Sequence, residues 1–439
     1  MRDWLLLIVF VGVLPFAVRH TWVGILLWNW ISLMNPHKLA FGFAYNAPFA
    51  AVAAGATLMS LVFTRDKLKI RWDPPVVVLL LLVIWMCIST AIAIDPAASW
   101  ETLSKVLKIQ LMTAFAFAAL QSRKQIELFI WVNILSIGFY GFKGGIYTIQ
   151  TGGSGRVWGP SGGFIEGNNE LAVALVMTIP LMHYLRAVST RRVVRFGLLC
   201  LMLLCAIAAL GTQSRGALLA ISAMALVLWF RMRKKLIGGI VIAAVAAYLV
   251  AFMPASWDQR MATIETYEED GSAMARITAW RMTINLANHR PWGGGFGIYT
   301  REVYDKYMPE SLLPQAAHSI YFSMLGEHGY IGLFLFVLLF VLSYVLAGRM
   351  RRMALRDPEA TWVHLLAGMC QVSIVGYAVG GAFLSLAYFD FAYNLIVILV
   401  VANRWMLDRS WVQEPYGAFG STSPGAYVAG KSAVTPRQS

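Results

Sequence analysis

Long apolar runs separated by short polar stretches recur along almost the whole chain. About 20 apolar residues cross the hydrocarbon part of a bilayer as a helix, and about a dozen runs approach that length. Membrane-spanning strands would instead alternate polar and apolar residues, which these runs do not. The pattern therefore predicts an all-α polytopic membrane protein with about 12 transmembrane helices. The runs lie at residues 4–18, 20–34, 46–63, 75–94, 101–120, 126–148, 169–188, 195–211, 214–230, 236–253, 318–347, 361–386 and 389–407.

Five clusters of basic residues stand between these runs. Because connections rich in Lys and Arg stay in the cytoplasm, the clusters predict the cytoplasmic side, and the alternate connections then face outward. The clusters are Arg65, Lys67, Lys69 and Arg71; Arg123 and Lys124; Arg191, Arg192 and Arg195; Arg231, Arg233, Lys234 and Lys235; and Arg349, Arg351, Arg352 and Arg356.

The first three runs conflict with a simple alternation of sides. They precede the first basic cluster, whereas Arg2 and the positive-inside rule favour a cytoplasmic N-terminus. An odd number of crossings cannot satisfy both conditions. We therefore predict that these three runs make only two crossings.

Composition excludes a soluble globular protein. Hydrophobic residues make up 59% of the chain and charged residues only 13%, whereas charged residues are about 25% of an average soluble protein. The net charge of +14 does not indicate a nucleic-acid partner, because the cations lie in the short clusters that set orientation and contact anionic lipids. The four cysteines all lie in apolar segments, which argues against a disulfide framework or structural zinc.

Two longer polar segments divide the chain. The pattern predicts N-terminal transmembrane helices over 1–253, an outward-facing loop domain containing an amphipathic helix over 254–317, and C-terminal transmembrane helices over 318–409. The Gly-, Ser- and Pro-rich residues 410–439 predict a disordered cytoplasmic tail.

Two residues at the outer boundary are the first candidates for chemistry. Arg215 begins an otherwise apolar helix, where a guanidinium can hold two phosphate oxygens, although interfacial arginines often only extend to the membrane surface. His318 stands where the loop domain re-enters the membrane and can act as a general base near neutral pH. A hydrogen-bonded packing role is the ordinary alternative for this histidine.

Other polar residues have two open interpretations. Arg276 and Arg281 lie on the predicted loop helix and are available to polar ligands. Glu327 is either a polar partner within the membrane or part of a helix break between glycines. Asn168, Asn169 and Glu170 either cap a helix and match its dipole or bind a sugar or phosphate. The glycines of 293–297 do not indicate a nucleotide loop, because no strand precedes them.

Three motifs resemble the O-antigen ligase family. They are TQSRGALLA, ARITAWRMTINLANHRPWGGGFG and AHSIYFSMLGEHGYIGLFLF, and the resemblance extends over about residues 150–345. The segments MRDWLLLIVFVG and SLMNPHKLAFGFAYNAPFA are similar to the exosortase-associated subgroup. Polymerases and protein O-oligosaccharyltransferases of the same superfamily share such features.

The resemblance implies a GT-C-like fold, that of glycosyltransferases that use lipid-linked donors, and an enzyme of the bacterial inner membrane with its active site facing the periplasm. The donor would be a glycan on undecaprenyl pyrophosphate, and the acceptor a sugar hydroxyl of lipid A–core. By motif, His318 corresponds to the family's essential histidine, and Arg215 and Arg276 to its arginines. Arg281 is a weaker match for a phosphate contact.

The chemistry of a glycosyl pyrophosphate makes this role specific. The leaving group is already good, so catalysis requires mainly stabilisation of the departing charge and a base for the attacking hydroxyl. We therefore expect a metal-independent, inverting transfer that needs no cofactor. A protein O-oligosaccharyltransferase or a polymerase remains the alternative within the enzyme class. A lipid-glycan flippase would favour charges at mid-membrane and internal repeats, and a structural scaffold would leave the arginines and the histidine unexplained.

Overall fold

The computed structural model describes residues 2–64, 66, 68–231, 234–240, 243–244, 271–311 and 313–412. Residues 251–270, which include part of the predicted loop domain, and most of the predicted tail lie outside this part of the chain. The α-helices discussed below are α1 (Arg2–Arg19), α2 (Thr21–Met34), α3 (Phe49–Phe63), α4 (Pro74–Ala91), α5 (Pro96–Ala119), α6 (Arg123–Gln150), α7 (Asn168–Val188), α8 (Arg192–Gly211), α9 (Arg215–Arg231), α10 (Gly271–His289), α11 (Arg301–Tyr307), α12 (Ile320–Ala354), α13 (Thr361–Gly380) and α14 (Asp390–Leu407).

Helix starts follow from residues beside the apolar runs. Asp95 caps α5 by accepting a hydrogen bond from the Ala98 amide at 3.1 Å, and Pro96 fits the first helical position. Ser122 and Gln125 form a reciprocal capping box at the start of α6. Local polar residues thus set where these membrane helices begin.

The described residues confirm the all-helical polytopic class. Seven of their helices are long and apolar enough to cross a membrane, and α2 and α3 are shorter apolar helices. The predicted run at 236–253 falls largely outside the described residues. The number of crossings, about 12, therefore remains a prediction.

Basic residues from several connections gather at one end of the helices, called here the basic end. Lys69 pairs with Asp408 at 2.7 Å, beyond the last turn of α14. Arg123 lies over the Trp362 ring at 5.0 Å, and Arg231 donates to the Gly368 carbonyl at 2.8 Å. The predicted grouping of these connections on one side is consistent with these contacts.

The three N-terminal helices are placed by contacts at their ends. Asp3 accepts hydrogen bonds from the amides of Gly42 and Ala44, both at 3.1 Å, so α1 begins beside the α2–α3 connection. His20, between α1 and α2, meets Asp66 at 3.4 Å near the first basic cluster. The three helices therefore alternate in direction, and the N-terminus lies at the end opposite the basic end. Helices α2 and α3 are shorter than the candidate membrane-spanning helices, so the two crossings predicted for this part of the chain remain a prediction.

Helix α14 lies at the centre of the helical assembly. Of its residues, 94% are buried, against 28% for the span-length window of α8 at the periphery. The Asn394 amide donates to the side-chain oxygens of Asn29 and Asn133 at 2.7 and 2.8 Å, which joins α14 to α2 and α6. At the basic end, the Arg404 guanidinium donates to the carbonyls of Lys69, Phe117 and Leu120.

Candidate active site at the end opposite the basic clusters

His318 stands two residues before α12 in an uncommon backbone conformation. Its φ of 44° lies in the left-handed region, which costs a non-glycine residue free energy and is often found at functional sites. The neighbouring Ala317 carbonyl accepts a hydrogen bond from the Trp280 indole at 2.8 Å. Helix α10 therefore fixes the backbone that carries the histidine.

The imidazole of His318 is half-buried among groups of both charges. Burial lowers its pKa from the ordinary value of 6.5, the positive charge of Arg276 lowers it further, and the negative charge of Glu170 raises it. The net lowering keeps the ring neutral near pH 7. A neutral imidazole is the form that accepts a proton.

The two arginines of α10 lie on different sides of the helix. Arg276 is half-buried and close enough to His318 to affect its pKa. Arg281 is exposed, and a separation of five residues turns it by roughly 140° around the axis. The buried side of α10 carries Ala279 and Met282, so the structure places Arg276, and not Arg281, beside the histidine.

Aromatic rings join α10 to the start of α12 and the end of α13. Trp280 stacks on Phe322 with centroids 4.8 Å apart and an interplanar angle of 10°, and its ring lies 6.4 Å from that of Phe383. A Cβ added at Gly216 would lie 3.6 Å from the Phe383 Cβ. Phe383 therefore adjoins both Trp280, near His318, and the first turn of α9, which begins at Arg215.

The turn before Arg215 is tightly held. Gln213 has a φ of 57° and donates to the Gly153 carbonyl at 3.3 Å, while the Ser214 hydroxyl accepts from the Ala217 amide at 3.3 Å. Arg215 itself is half-buried at the first position of α9. This end of the helix is the one expected to attract an anion.

The polar residues at the start of α7 do not cap that helix through their side chains. Gly167 occupies the N-cap position, and the buried Asn168 amide instead donates to the Thr212 carbonyl at 2.8 Å. The capping interpretation of Asn168 is therefore wrong, because its side chain connects α7 to the turn before α9. Asn169 and Glu170 are half-buried, and Glu170 acts electrostatically on His318.

Glu327 lies deeper, where α12 breaks. It is buried and accepts a hydrogen bond from the Tyr388 hydroxyl. Gly329 interrupts the helix with φ 66° and ψ −165°. Glu327 therefore joins a buried network below the histidine, and the helix break predicted as the ordinary alternative is also present.

Comparison with known families separates the chain into two matched parts. Residues 200–337 match the model of a family described as O-antigen ligase, and residues 1–190 match a family of unknown function. A search of curated proteins finds no match. Residues 200–337 carry the domain of the O-antigen ligase family.

The O-antigen ligase domain contains most of the candidate residues. It extends from α8 into α12 and includes Arg215, Arg276, Arg281, His318 and Glu327. This match supports a ligase- or polymerase-type glycosyltransferase function. The exosortase-associated subgroup suggested by the N-terminal segments stays a prediction, since the match there is to a family without a described function.

The glycine-rich segment of the O-antigen ligase domain has a structural role that the sequence did not reveal. The amides of Gly294 and Gly295 donate to the carbonyls of Gly326 and Glu327, both at 2.9 Å. These carbonyls are the ones that the break at Gly329 leaves without helical partners. The segment 293–297 is thus a backbone clamp on the broken helix.

Sequence reasoning missed two residues outside the O-antigen ligase domain. Ser385 Oγ lies 3.4 Å from His318 Nδ1, and the Tyr388 hydroxyl lies 2.8 Å from His328 Nε2. Both residues stand in the connection between α13 and α14, where the apolar pattern predicts a helix up to residue 386 and another from residue 389. Nothing in their local sequence distinguishes them, because their partners are at least 60 residues away.

Proposed function

We propose that this chain is an O-antigen ligase that transfers a glycan from undecaprenyl pyrophosphate to a sugar hydroxyl of lipid A–core at the periplasmic face of the bacterial inner membrane. The observation that carries this proposal is the position of His318, half-buried before α12 and close to Arg276 and Glu170, at the end opposite the basic clusters. The O-antigen ligase match supports the reaction class.

The reaction requires one bond to form and one to break. The acceptor hydroxyl oxygen attacks the anomeric carbon while the bond from that carbon to the pyrophosphate oxygen breaks, and His318 takes the hydroxyl proton. The leaving undecaprenyl pyrophosphate takes the electron pair of the broken bond. Attack opposite the leaving group inverts the anomeric carbon.

The cationic groups serve the departing pyrophosphate. Arg276 and Arg215 can each donate two hydrogen bonds to phosphate oxygens and offset the charge that develops as the bond breaks. Glu170 acts differently, since its carboxylate stabilises the imidazolium that forms when His318 takes the proton. Arg281 is exposed on another side of α10, which gives it at most a peripheral contact to the donor.

Both substrates are anchored in the membrane, so they must enter from the side. An apolar groove between α12 and α13 has a volume of about 240 Å³ and is lined at one end by Ile320 and Tyr321, close in sequence to His318. Further lining residues are Phe336, Phe340 and Ile374. This groove supports lateral access to the histidine from the lipid phase.

A transfer assay tests the proposal. Purified protein is given undecaprenyl-pyrophosphate-linked glycan and lipid A–core, in a chelator of divalent cations, and the product is separated by gel electrophoresis. We expect product from the wild type and a loss of at least about 100-fold in His318→Ala, in line with the contribution of a general base. His289→Ala is the matched control, because this exposed histidine forms a hydrogen bond with the Asn285 carbonyl of its own helix.

Three results would change the proposal. Undiminished transfer by His318→Ala would exclude this histidine as the base, and loss of wild-type product in the chelator would exclude the metal-independent reaction. Transfer to a protein Ser or Thr, or to a second lipid-linked glycan, without transfer to lipid A–core would identify an O-oligosaccharyltransferase or a polymerase.

A further inference from the structure

The connection between α13 and α14 touches the candidate base at one point and a buried polar pocket at another. Ser385 lies against the His318 ring, and Tyr388, three residues later, enters the pocket formed by Glu327 and His328. We call residues 384–389 the positioning segment. The positioning segment therefore connects the buried pocket with His318.

The contact with Ser385 affects which ring nitrogen of His318 can act. Ser385 Oγ lies 3.4 Å from Nδ1. When the Nδ1–H group donates to this hydroxyl oxygen, the proton of the neutral ring is held on Nδ1 and the lone pair of Nε2 is free. Ser385 is thus placed to select the tautomer whose Nε2 is the base.

Tyr388, near the other end of the positioning segment, is held by hydrogen bonds to buried side chains. Tyr388 Oη donates to the Glu327 carboxylate, so it accepts from His328 Nε2–H at 2.8 Å. His328 Nδ1 lies 2.7 Å from Ser89 Oγ, whose hydroxyl also donates to the Met86 carbonyl at 3.1 Å. The contacts with Glu327 and His328 hold the Tyr388 hydroxyl from two sides.

Packing around these hydrogen bonds restricts Tyr388 further. The Phe296 ring lies 4.7 Å from that of His328 and 5.1 Å from that of Tyr388. Phe296 is itself held by its carbonyl, which accepts from Ser99 Oγ at 2.8 Å. The pocket is therefore connected to α5 and to the glycine-rich clamp, as well as to the broken helix α12.

We propose that Ser385 and Tyr388 are positioning residues: Tyr388, fixed by Glu327 and His328, holds residues 384–389 so that Ser385 orients the His318 ring. This inference rests on the proposed function only in taking His318 as the base. Burial and the two charged groups that face the ring, Glu170 of α7 and Arg276 of α10, affect its proton affinity, whereas Ser385 sets its orientation.

The first test removes the hydroxyl beside the histidine. In Ser385→Ala we expect kcat to fall about 10-fold, because a misoriented base costs rate, with KM changed less than about 2-fold. Ser385→Thr keeps the hydroxyl and should recover most of the rate. Ser154→Ala is the control, since that exposed hydroxyl donates to the Thr151 carbonyl and its loss should leave kcat unchanged.

The second test removes the distant anchor without touching the ring. Tyr388→Phe loses the bonds to Glu327 and His328, and we expect a fall in kcat similar to that of Ser385→Ala, at unchanged KM. Tyr330→Phe is the matched control, because the Tyr330 hydroxyl bonds Asn288 at 2.8 Å and not the buried pocket. A kcat of wild-type size in folded Ser385→Ala or Tyr388→Phe would overturn the inference.

A measurement independent of substrate separates this inference from the proposed function. The rate at which diethyl pyrocarbonate modifies His318 is followed by peptide mass spectrometry in the detergent-solubilised protein. Loss of either positioning residue should free the ring and raise this rate by at least about 3-fold, while the two controls keep the wild-type rate. Equal rates in all variants would overturn the inference even if transfer is observed, and a raised rate would support it even if the donor or acceptor proves different.

Discussion

His318 combines a left-handed backbone, partial burial and neighbours of opposite charge, and each of these has a separate effect. The backbone conformation costs free energy that the Trp280 bond to Ala317 helps to offset. Burial and Arg276 favour the neutral ring, whereas Glu170 favours the protonated ring. The histidine is therefore neutral before reaction and has a nearby carboxylate once it is protonated.

The pH dependence of transfer follows from these directions. Because the pKa of His318 is lowered from 6.5, the acid limb of kcat/KM, which reports the free enzyme, should have its midpoint below 6.5. In Glu170→Gln the influence that raises the pKa is lost, so the midpoint should move further down. Glu166→Gln is the control, since that carboxylate accepts from the Gly162 amide at 2.9 Å. A midpoint that rises in Glu170→Gln would contradict this electrostatic account.

The two arginines of α10, Arg276 and Arg281, should differ in their effect on activity. Arg276→Ala removes a half-buried guanidinium beside the histidine, and we expect kcat/KM to fall about 100-fold or more, as when one group that stabilises the developing charge is lost. Arg281→Ala removes an exposed arginine of the same helix, and the loss should stay below about 3-fold. Equal losses in steady-state assays of the two variants would show that both bind the pyrophosphate.

The main element-scale feature is the broken helix α12 and the glycine-rich clamp on it. A helix break within an apolar environment exposes carbonyls that lipid cannot satisfy, and the clamp supplies the missing donors. Tyr330 also takes part, because its amide donates to the Pro291 carbonyl at 3.0 Å. The break in α12 can therefore exist in an apolar environment only while the glycine-rich clamp donates these hydrogen bonds.

Two glycines of the clamp test this dependence with a matched control. Both Gly293 and Gly297 have positive φ, at 88° and 77°, but a Cβ at Gly293 would lie 2.5 Å from the Glu327 carbonyl oxygen, whereas at Gly297 the nearest atom is 3.8 Å away. Gly297→Ala should cost only about 1–2 kcal/mol for its conformation. Gly293→Ala must also displace backbone, so its thermal unfolding midpoint in detergent should fall further. Equal midpoints in the two variants would refute a close-packed clamp.

The helices themselves could be predicted from the apolar pattern, because a membrane requires nearly continuous hydrophobic residues of fixed length. The run at 169–188, for example, agrees with α7 at Asn168–Val188. His318 could also be singled out, since it stands where a polar loop returns to the membrane. Ser385 and Tyr388 could not, because only tertiary packing brings them to His318 and His328. The order of the first three helices depended on Asp3 meeting Gly42 and Ala44, a contact without any sequence signal.

At the scale of the whole molecule, the two ends differ in composition and in proposed role. The basic end holds the clusters expected in the cytoplasm, and the opposite end holds His318, Arg215 and Arg276. The N-terminus and residues 35–48 share this second end. If His318 faces the periplasm as proposed, the N-terminus and residues 35–48 lie on the periplasmic side as well.

Labelling of single cysteines tests this orientation. In a variant without the four native cysteines, Phe41→Cys lies in residues 35–48 at a position 90% exposed, and Val193→Cys lies at the basic end at a position 84% exposed. A membrane-impermeant maleimide applied to cells with a permeable outer membrane should label Phe41→Cys at once. It should label Val193→Cys only after the inner membrane is opened. The reverse pattern would place the site in the cytoplasm.

The central position of α14 has a consequence for synthesis of the protein. Helices enter the membrane in the order in which they leave the ribosome, so α14, with 94% of its residues buried, enters after the other helices that the structure describes. Until residues 390–407 have been made, Asn29 and Asn133 lack their shared partner Asn394, and the carbonyls at Phe117 and Leu120 lack Arg404. The helices made before α14 must therefore stay in the bilayer without the helix around which they finally pack. A chain that stops before this point therefore leaves these polar groups in the bilayer without the partners that α14 supplies, at a cost in free energy.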